Sequence, residues 1–214
     1  MHVVITGATR GIGAGLAEHY RDAGHAVTGT GRSAGAQVTV DVTQPADHTA
    51  MAAALEGRAI DLLVCNAGVY LDKGEALETG YAPDLWSQTF AANVTGVFLT
   101  VQSLLPNLAL SKSPKIAIIS SQMGSSTQAT GTSLIYRTSK AAVLNLGLNL
   151  ANALRPDGIA VGIYHPGWVR TDMGGAAAAI SVDEAVAGLV ARFEALGPET
   201  SGCFETWDGR AHPL

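Results

Sequence analysis

Val3-Val4-Ile5-Thr6-Gly7-Ala8-Thr9-Arg10-Gly11-Ile12-Gly13 begins as a β-branched run and passes, through three glycines, into the start of a helical pattern. A strand that feeds a helix through such a turn leaves backbone N–H groups and the positive end of a helix dipole aimed at one spot, which suits a phosphate. Each glycine has a steric use. Gly7 allows the sharp turn, Gly11 removes a Cβ that would block a phosphate, and Gly13 lets helix and sheet pack closely. The spacing is G-x-x-x-G-x-G rather than the commoner G-x-G-x-x-G, and alone it reads equally as a tight strand-to-helix turn. As a binding loop it makes Gly7, Thr9, Arg10, Gly11, Ile12 and Gly13 the candidates for holding a dinucleotide pyrophosphate.

Outward from this loop, short apolar β-branched runs alternate with longer helical patterns. Residues 3–6, 26–30, 38–40, 61–65, 115–120, 159–165 and 203–207 read as strands, and 11–23, 45–55, 83–110, 136–154 and 182–196 as helices. Each helix is long enough for the crossover that parallel strands need. The expectation is one α/β domain over residues 1–214, a doubly wound parallel sheet of about seven strands with helices on both faces. One crossover is missing: only residues 31–36 join the second strand to the third, too few for a helix, so a bare return loop is expected there.

Composition narrows the function. Thirteen Lys and Arg against eighteen Asp and Glu, with no basic run, argue against a nucleic-acid partner. No apolar stretch reaches the roughly 18 residues of a membrane span and no leader pattern precedes the first strand, so a cytoplasmic protein is expected. Cys65 and Cys203 sit in strand-like apolar settings and read as buried thiols; the six His show no metal-ligand spacing, and no metal is expected. At 14% charged residues the chain is well below an average domain, which favours an oligomer that covers a second surface.

Tyr136 and Lys140 lie four apart in a helical pattern, on one face about a turn from each other. A phenol titrates near pH ~10, so a neighbouring ammonium and a cationic nicotinamide would be needed to make it a proton-transfer group at neutral pH. On its own Tyr-x-x-x-Lys is more often a solvated helix face. Ser120-Ser121 changes that balance: it ends a strand just before this helix, where a parallel sheet binds its ligands, and Ser121 there can donate to a carbonyl oxygen that gains negative charge. Asn93 is a poor helix former midway through a long helical pattern, where its side chain can break the ladder and hold a water, or simply be a satisfied polar group.

Thr6-Gly7-Ala8-Thr9-Arg10-Gly11-Ile12-Gly13, Asn66-Ala67-Gly68, Asn93, Ser121, Tyr136-x-x-x-Lys140 and Pro166-Gly167 stand in the order and approximate spacing of the short-chain dehydrogenase/reductase family, which the chain resembles over essentially its whole length. The segment from His165 to Gly175 is similar to the branch that holds sniffer-type carbonyl reductases and the C-factor. The resemblance implies a Rossmann-type oxidoreductase acting on a small carbonyl or alcohol, with a binding or signalling protein of the same fold as the alternative. It makes Tyr136 the proton donor or acceptor, Lys140 the holder of the nicotinamide ribose, Ser121 the group that orients the carbonyl and Asn93 the support of a proton-relay water. It also gives Asp41 and Val42 to the adenine, Asn66, Ala67 and Gly68 to the sheet beside the cofactor, and Pro166, Gly167, Val169 and Thr171 to the carboxamide. The chain departs from the family in being short, in the missing helix after its second strand, and in a long Ser121-to-Tyr136 loop.

Cofactor choice is readable in the turn after the second strand. Thr30-Gly31-Arg32-Ser33 lacks the carboxylate that would grip an adenosine ribose, and Arg32, with Arg10 from the other side, can meet a 2′-phosphate, so NADP(H) is expected over NAD(H). Tyr70, Gln122, Met123, Trp168 and residues 173–180 are expected to line a mixed apolar substrate pocket. The 141–151 and 85–110 helical patterns are apolar over most of their circumference, so a homodimer or homotetramer is expected.

Overall fold

The computed structural model describes residues 1–33 and 35–214. Seven strands form one parallel sheet: β1 (His2–Ile5), β2 (Ala26–Gly31), β3 (Val38–Thr39), β4 (Leu62–Cys65), β5 (Lys115–Ile119), β6 (Ala160–His165) and β7 (Phe204–Thr206), in spatial order β3-β2-β1-β4-β5-β6-β7. Six helices cover it: α1 (Gly11–Asp22), α2 (Pro45–Ala54), α3 (Pro83–Phe90), α4 (Gly96–Leu108), α5 (Leu134–Ala153) and α6 (Val182–Ala195). Strand order reverses between β1 and β4, and a crevice at such a reversal is where open α/β sheets bind ligands. The fold is the doubly wound Rossmann-type sheet that the alternation of patterns predicts.

The strands are almost continuously apolar because both faces of the sheet are buried. Val4, Leu63, Cys65, Ile116 and Ile118 pack with Met51 of α2, Leu104 of α4 and Val143 of α5. Their neighbours Val3, Ile5, Val64, Ala117 and Ile119 point the other way, against Leu16 and Tyr20 of α1 and Leu189 and Phe193 of α6. This period of two across a covered sheet fixes the strand register, since a slip by one residue would exchange the two faces.

The return between β2 and β3 holds no helix among its described residues; Ala34 within the 31–36 loop lies outside them. The long 83–110 pattern is not one α-helix. Residues Ala91–Thr95 between α3 and α4 form a π turn, which inserts an extra residue and interrupts the α-helical ladder at Asn93. The Ser121-to-Tyr136 connection contains two 3-10 turns, Gln122–Gly124 and Ser126–Gln128, that the pattern does not announce. Both cysteines are free; Cys65 is buried, and Cys203, half-buried, stands just before β7. No helix among the described residues is long and apolar enough to cross a membrane.

Candidate active site

A cleft of about 1,180 Å³ runs along the carboxyl ends of the strands, larger than the roughly 300–1,000 Å³ of most small-ligand pockets. Its floor is the glycine loop. Gly7 and Gly11 take left-handed φ values of 68° and 54° that other residues rarely adopt, and a Cβ on Gly13 would overlap the Gly7 carbonyl oxygen. Arg10 stands before α1 without a side-chain cap for the helix, so the first-turn N–H groups face the cleft with no acceptor from that residue. The Asn66 side chain donates to the Thr6 and Gly7 carbonyls at 3.0 and 3.1 Å, locking the turn after β1 to the end of β4.

The remaining expected residues are placed around this floor. Thr9, Arg10, Gly11 and Ile12 line the cleft, as do Ala67, Gly68, Pro166 and Thr171. Arg32, Ser33, Asp41 and Val42 close the end beyond β2 and β3. Burial works against the Asp41 charge, but hydrogen bonds from the Thr43 N–H and hydroxyl, 2.9 and 2.8 Å, with Arg32 and His48 adding to them, hold its carboxyl below the ordinary value. Gly167 and Val169 do not line the cleft; Val169 is buried and pairs with Ile180, closing the base of the 166–181 segment. Arg10 does not point freely at a 2′-phosphate: its guanidinium is paired with Asp172 at 2.6 Å.

At the other end of the cleft α5 brings Tyr136 and Lys140 beside the end of β5. Both are buried, 8% and 6% exposed, although a solvated helix face is the commoner fate of such a pair. The Lys140 ammonium donates to the Ile119 carbonyl at 3.0 Å and lies 5.6 Å from the Tyr136 ring centre; burial lowers its pKa to about 8. For taking a proton from an alcohol Tyr136 is shifted in the unfavourable sense, whereas for giving one to a carbonyl it is held protonated. Burial pushes the phenol up to about 12; Ser121 pulls it back partway, and Tyr70 and Asp72 push it further up. To act as a base near neutrality the phenol therefore needs the positive charge of an oxidised nicotinamide nearby.

Ser121 is buried and caps the Gln122–Gly124 turn, its Oγ accepting from the Met123 N–H at 3.1 Å. Because that oxygen is used as an acceptor, its own hydrogen is left to be donated. Asn93 is held by protein on every side: Oδ1 accepts from the Val69 N–H at 2.8 Å, and Nδ2 donates to the Val69 carbonyl at 2.9 Å and to Ser139 Oγ at 3.0 Å. Both Nδ2 hydrogens are thus used while Oδ1 keeps one lone pair, so support of a water would come from that oxygen or from the backbone opened by the π turn.

Of the residues expected around a substrate, Tyr70 stacks on Tyr136 with ring centres 4.3 Å apart. Met173 lines the cleft with Leu71, a residue that sequence reasoning missed, since a lone leucine in a polar loop carries no periodic signal. Gln122 and Met123 instead line a separate hollow of about 300 Å³ with Arg137, and Trp168 stands exposed, its Nε1 donating to the Gly174 carbonyl at 2.9 Å.

A family profile described as short chain dehydrogenase matches residues 1–180. The C-signal protein of Myxococcus xanthus is 34% identical over 155 residues, spanning 72% of this chain and 92% of that protein. Among solved structures, the NADPH-bound carbonyl reductase from chicken fatty liver superposes with a TM-score of 0.92 at 30% identity, covering 100% of this chain and 98% of the other. The carbonyl reductase Sniffer of D. melanogaster superposes with a TM-score of 0.91 at 25% identity, covering 100% and 99%. Fold, strand order and profile agree with the motifs, and the chain belongs to the short-chain dehydrogenase family, in the company of sniffer-type reductases and C-signal.

Proposed function

We propose that this protein is an NADP(H)-dependent carbonyl reductase or alcohol dehydrogenase. The observation that carries the reading is that Tyr136 and Lys140 line one end of a cleft whose other parts suit a dinucleotide, with Ser121, just behind the cleft-lining Ser120, hydrogen-bonded to the Tyr136 phenol. The likeness to an NADPH-bound carbonyl reductase supports the cofactor and the substrate class together. A cytoplasmic location goes with this reading.

The residues fit a nicotinamide dinucleotide. The uncapped start of α1 suits the pyrophosphate, and Arg32 and Ser33 suit a 2′-phosphate. Lys140 has three N–H donors and spends one on Ile119, leaving two for ribose hydroxyls. When bound, the reduced nicotinamide supplies the hydride. The chain does the rest: Ser121 donates to the carbonyl oxygen, Tyr136 gives that oxygen its proton, and Asn93 fixes the loop after β4 through Val69. Leu71 and Met173 line the same cleft and suit an apolar substituent on the substrate.

The test is loss of NADPH absorbance with a panel of aldehydes and ketones. Turnover of several members is expected. The likeness to C-signal favours a second reading, a nucleotide-binding regulatory protein, which predicts NADPH binding with no turnover of any member. Intact Ser121, Tyr136 and Lys140 weigh against it, because a pure binder has no use for a proton donor.

A further inference from the structure

The helix that carries Tyr136 and Lys140 starts without a cap of its own. Ser133, the residue before its first turn, is of a type that normally provides one. Here it sits in the left-handed region at φ 52°; its carbonyl accepts from the Arg137 N–H, but its side chain makes no bond to the helix amides, and its hydroxyl is hydrogen-bonded to that of Tyr70 at 2.5 Å. The cap comes from far away in sequence. Asp72, fully buried, accepts from the Ile135 N–H at 2.8 Å and from the Tyr136 N–H at 3.2 Å. Residues 66–72 therefore run from the cleft floor at Asn66, through the Tyr70 ring stacked on Tyr136, to the amide of Tyr136 itself.

A neutral Ser or Asn could satisfy the same two amides, whereas a buried carboxylate carries a desolvation cost that amides and a helix dipole only offset. The charge does what a neutral cap would not. We propose that Asp72 is a positioning residue for Tyr136, one that fixes the phenol through the backbone of α5 by holding the two amides at the start of the helix. The groups that face the phenol are Ser121 from the end of β5, Tyr70 and Asp72 from the segment after β4, and Lys140 from α5 itself. Ser121 favours loss of the proton, while Tyr70 and Asp72 add to burial in opposing it. Tyr70 contributes through its ring and its hold on Ser133, and Asp72 through its carboxyl group at the Tyr136 amide.

The proposal rests on Tyr136 being the proton-transfer group, and its test keeps the two claims apart. Asp72→Asn preserves shape and an acceptor oxygen while removing the charge; Asp72→Ser, a neutral cap, serves should the first fail to fold. Tyrosine labelled with carbon-13 at Cζ reports the phenol directly by NMR, with and without saturating NADP⁺, the Tyr136 signal being the one lost in Tyr136→Phe. The Tyr136 midpoint is expected to fall in Asp72→Asn by about a third of a pH unit, about a twofold change in the phenolate ratio at fixed pH. The alkaline limb of kcat for 4-nitrobenzaldehyde reduction should move with it, while the KM for NADPH changes by less than about twofold. A midpoint that stays or rises overturns the role of Asp72, even if Tyr136→Phe is inactive. Near-normal turnover by Tyr136→Phe would remove the functional reading instead.

Discussion

Arg10 and Asp172 form an ion pair 2.6 Å long that ties the glycine loop to the segment after β6. Both side chains are largely exposed, so the pair holds the two segments only weakly. A 2′-phosphate reaching Arg10 would compete with Asp172, and Arg32, which lines the same end of the cleft, is the stronger candidate to meet it. We expect kcat/KM for NADPH to exceed that for NADH, with Arg32→Ala reducing the ratio about tenfold and Asp172→Asn raising it severalfold. Initial rates with the two cofactors check this; equal efficiency in the unmodified protein contradicts it. Gly31→Asp, which would put the missing carboxylate into this turn, is a poor probe, because a Cβ there would lie 2.8 Å from Thr9 Cγ2, which must rotate away before any change in cofactor preference can be read.

Lys140 should be a site where function costs stability. Burial lowers its pKa from 10.5 to about 8, so the folded state below that pH holds a charge it disfavours by roughly 3 kcal/mol at most. The lost bond to Ile119 offsets about 1 kcal/mol of the gain from removing it. Lys140→Met should therefore raise Tm by roughly 2–6 °C at pH 7 while abolishing turnover and weakening NADPH binding. Between pH 8 and 10.5 the unfolded chain binds more protons at this lysine than the folded one, so the wild type gains stability as pH rises through that window. The advantage of the Met variant should shrink over the same range, which thermal melts at pH 7 and 9.5 would show.

Assembly is the third expectation. On α4, Phe98 is 40% exposed, and Leu110 just beyond the helix is 56% exposed, while Leu146, Leu148 and Leu150 of α5 are only half-buried by the chain itself. We expect these helices to pair with their copies across a two-fold axis, giving a dimer or a dimer of dimers. Light scattering at micromolar concentration checks it, and a monomer contradicts it. Phe98→Lys should shift the equilibrium toward monomer while leaving the fold intact by circular dichroism.

What was legible in the sequence follows from what has a period. The strands are readable because a doubly covered sheet demands nearly unbroken apolar runs, and the glycine loop because its turns demand glycine at particular places. Asn93 announces a break in its helix, and the π turn is there, but the amide is spent on Val69 and Ser139, which no spacing reveals. Asp72 is silent for a related reason: it is one acidic residue in a polar loop, and its meaning lies in amides 63 and 64 residues away. The split between the cleft and the hollow at Gln122 and Met123 depends on two 3-10 turns that carry no periodic signal.

The proposed reaction turns on the Tyr136 hydroxyl. Tyr136→Phe removes one oxygen from a buried ring stacked on Tyr70, so fold and NADPH affinity should be retained. Measured by NADPH absorbance with the best carbonyl of the panel, its kcat should fall by about 10²–10⁴ relative to the unmodified protein. Turnover within a factor of a few of the unmodified protein, with NADPH bound equally well, would contradict the assignment of Tyr136 as the group that moves the proton.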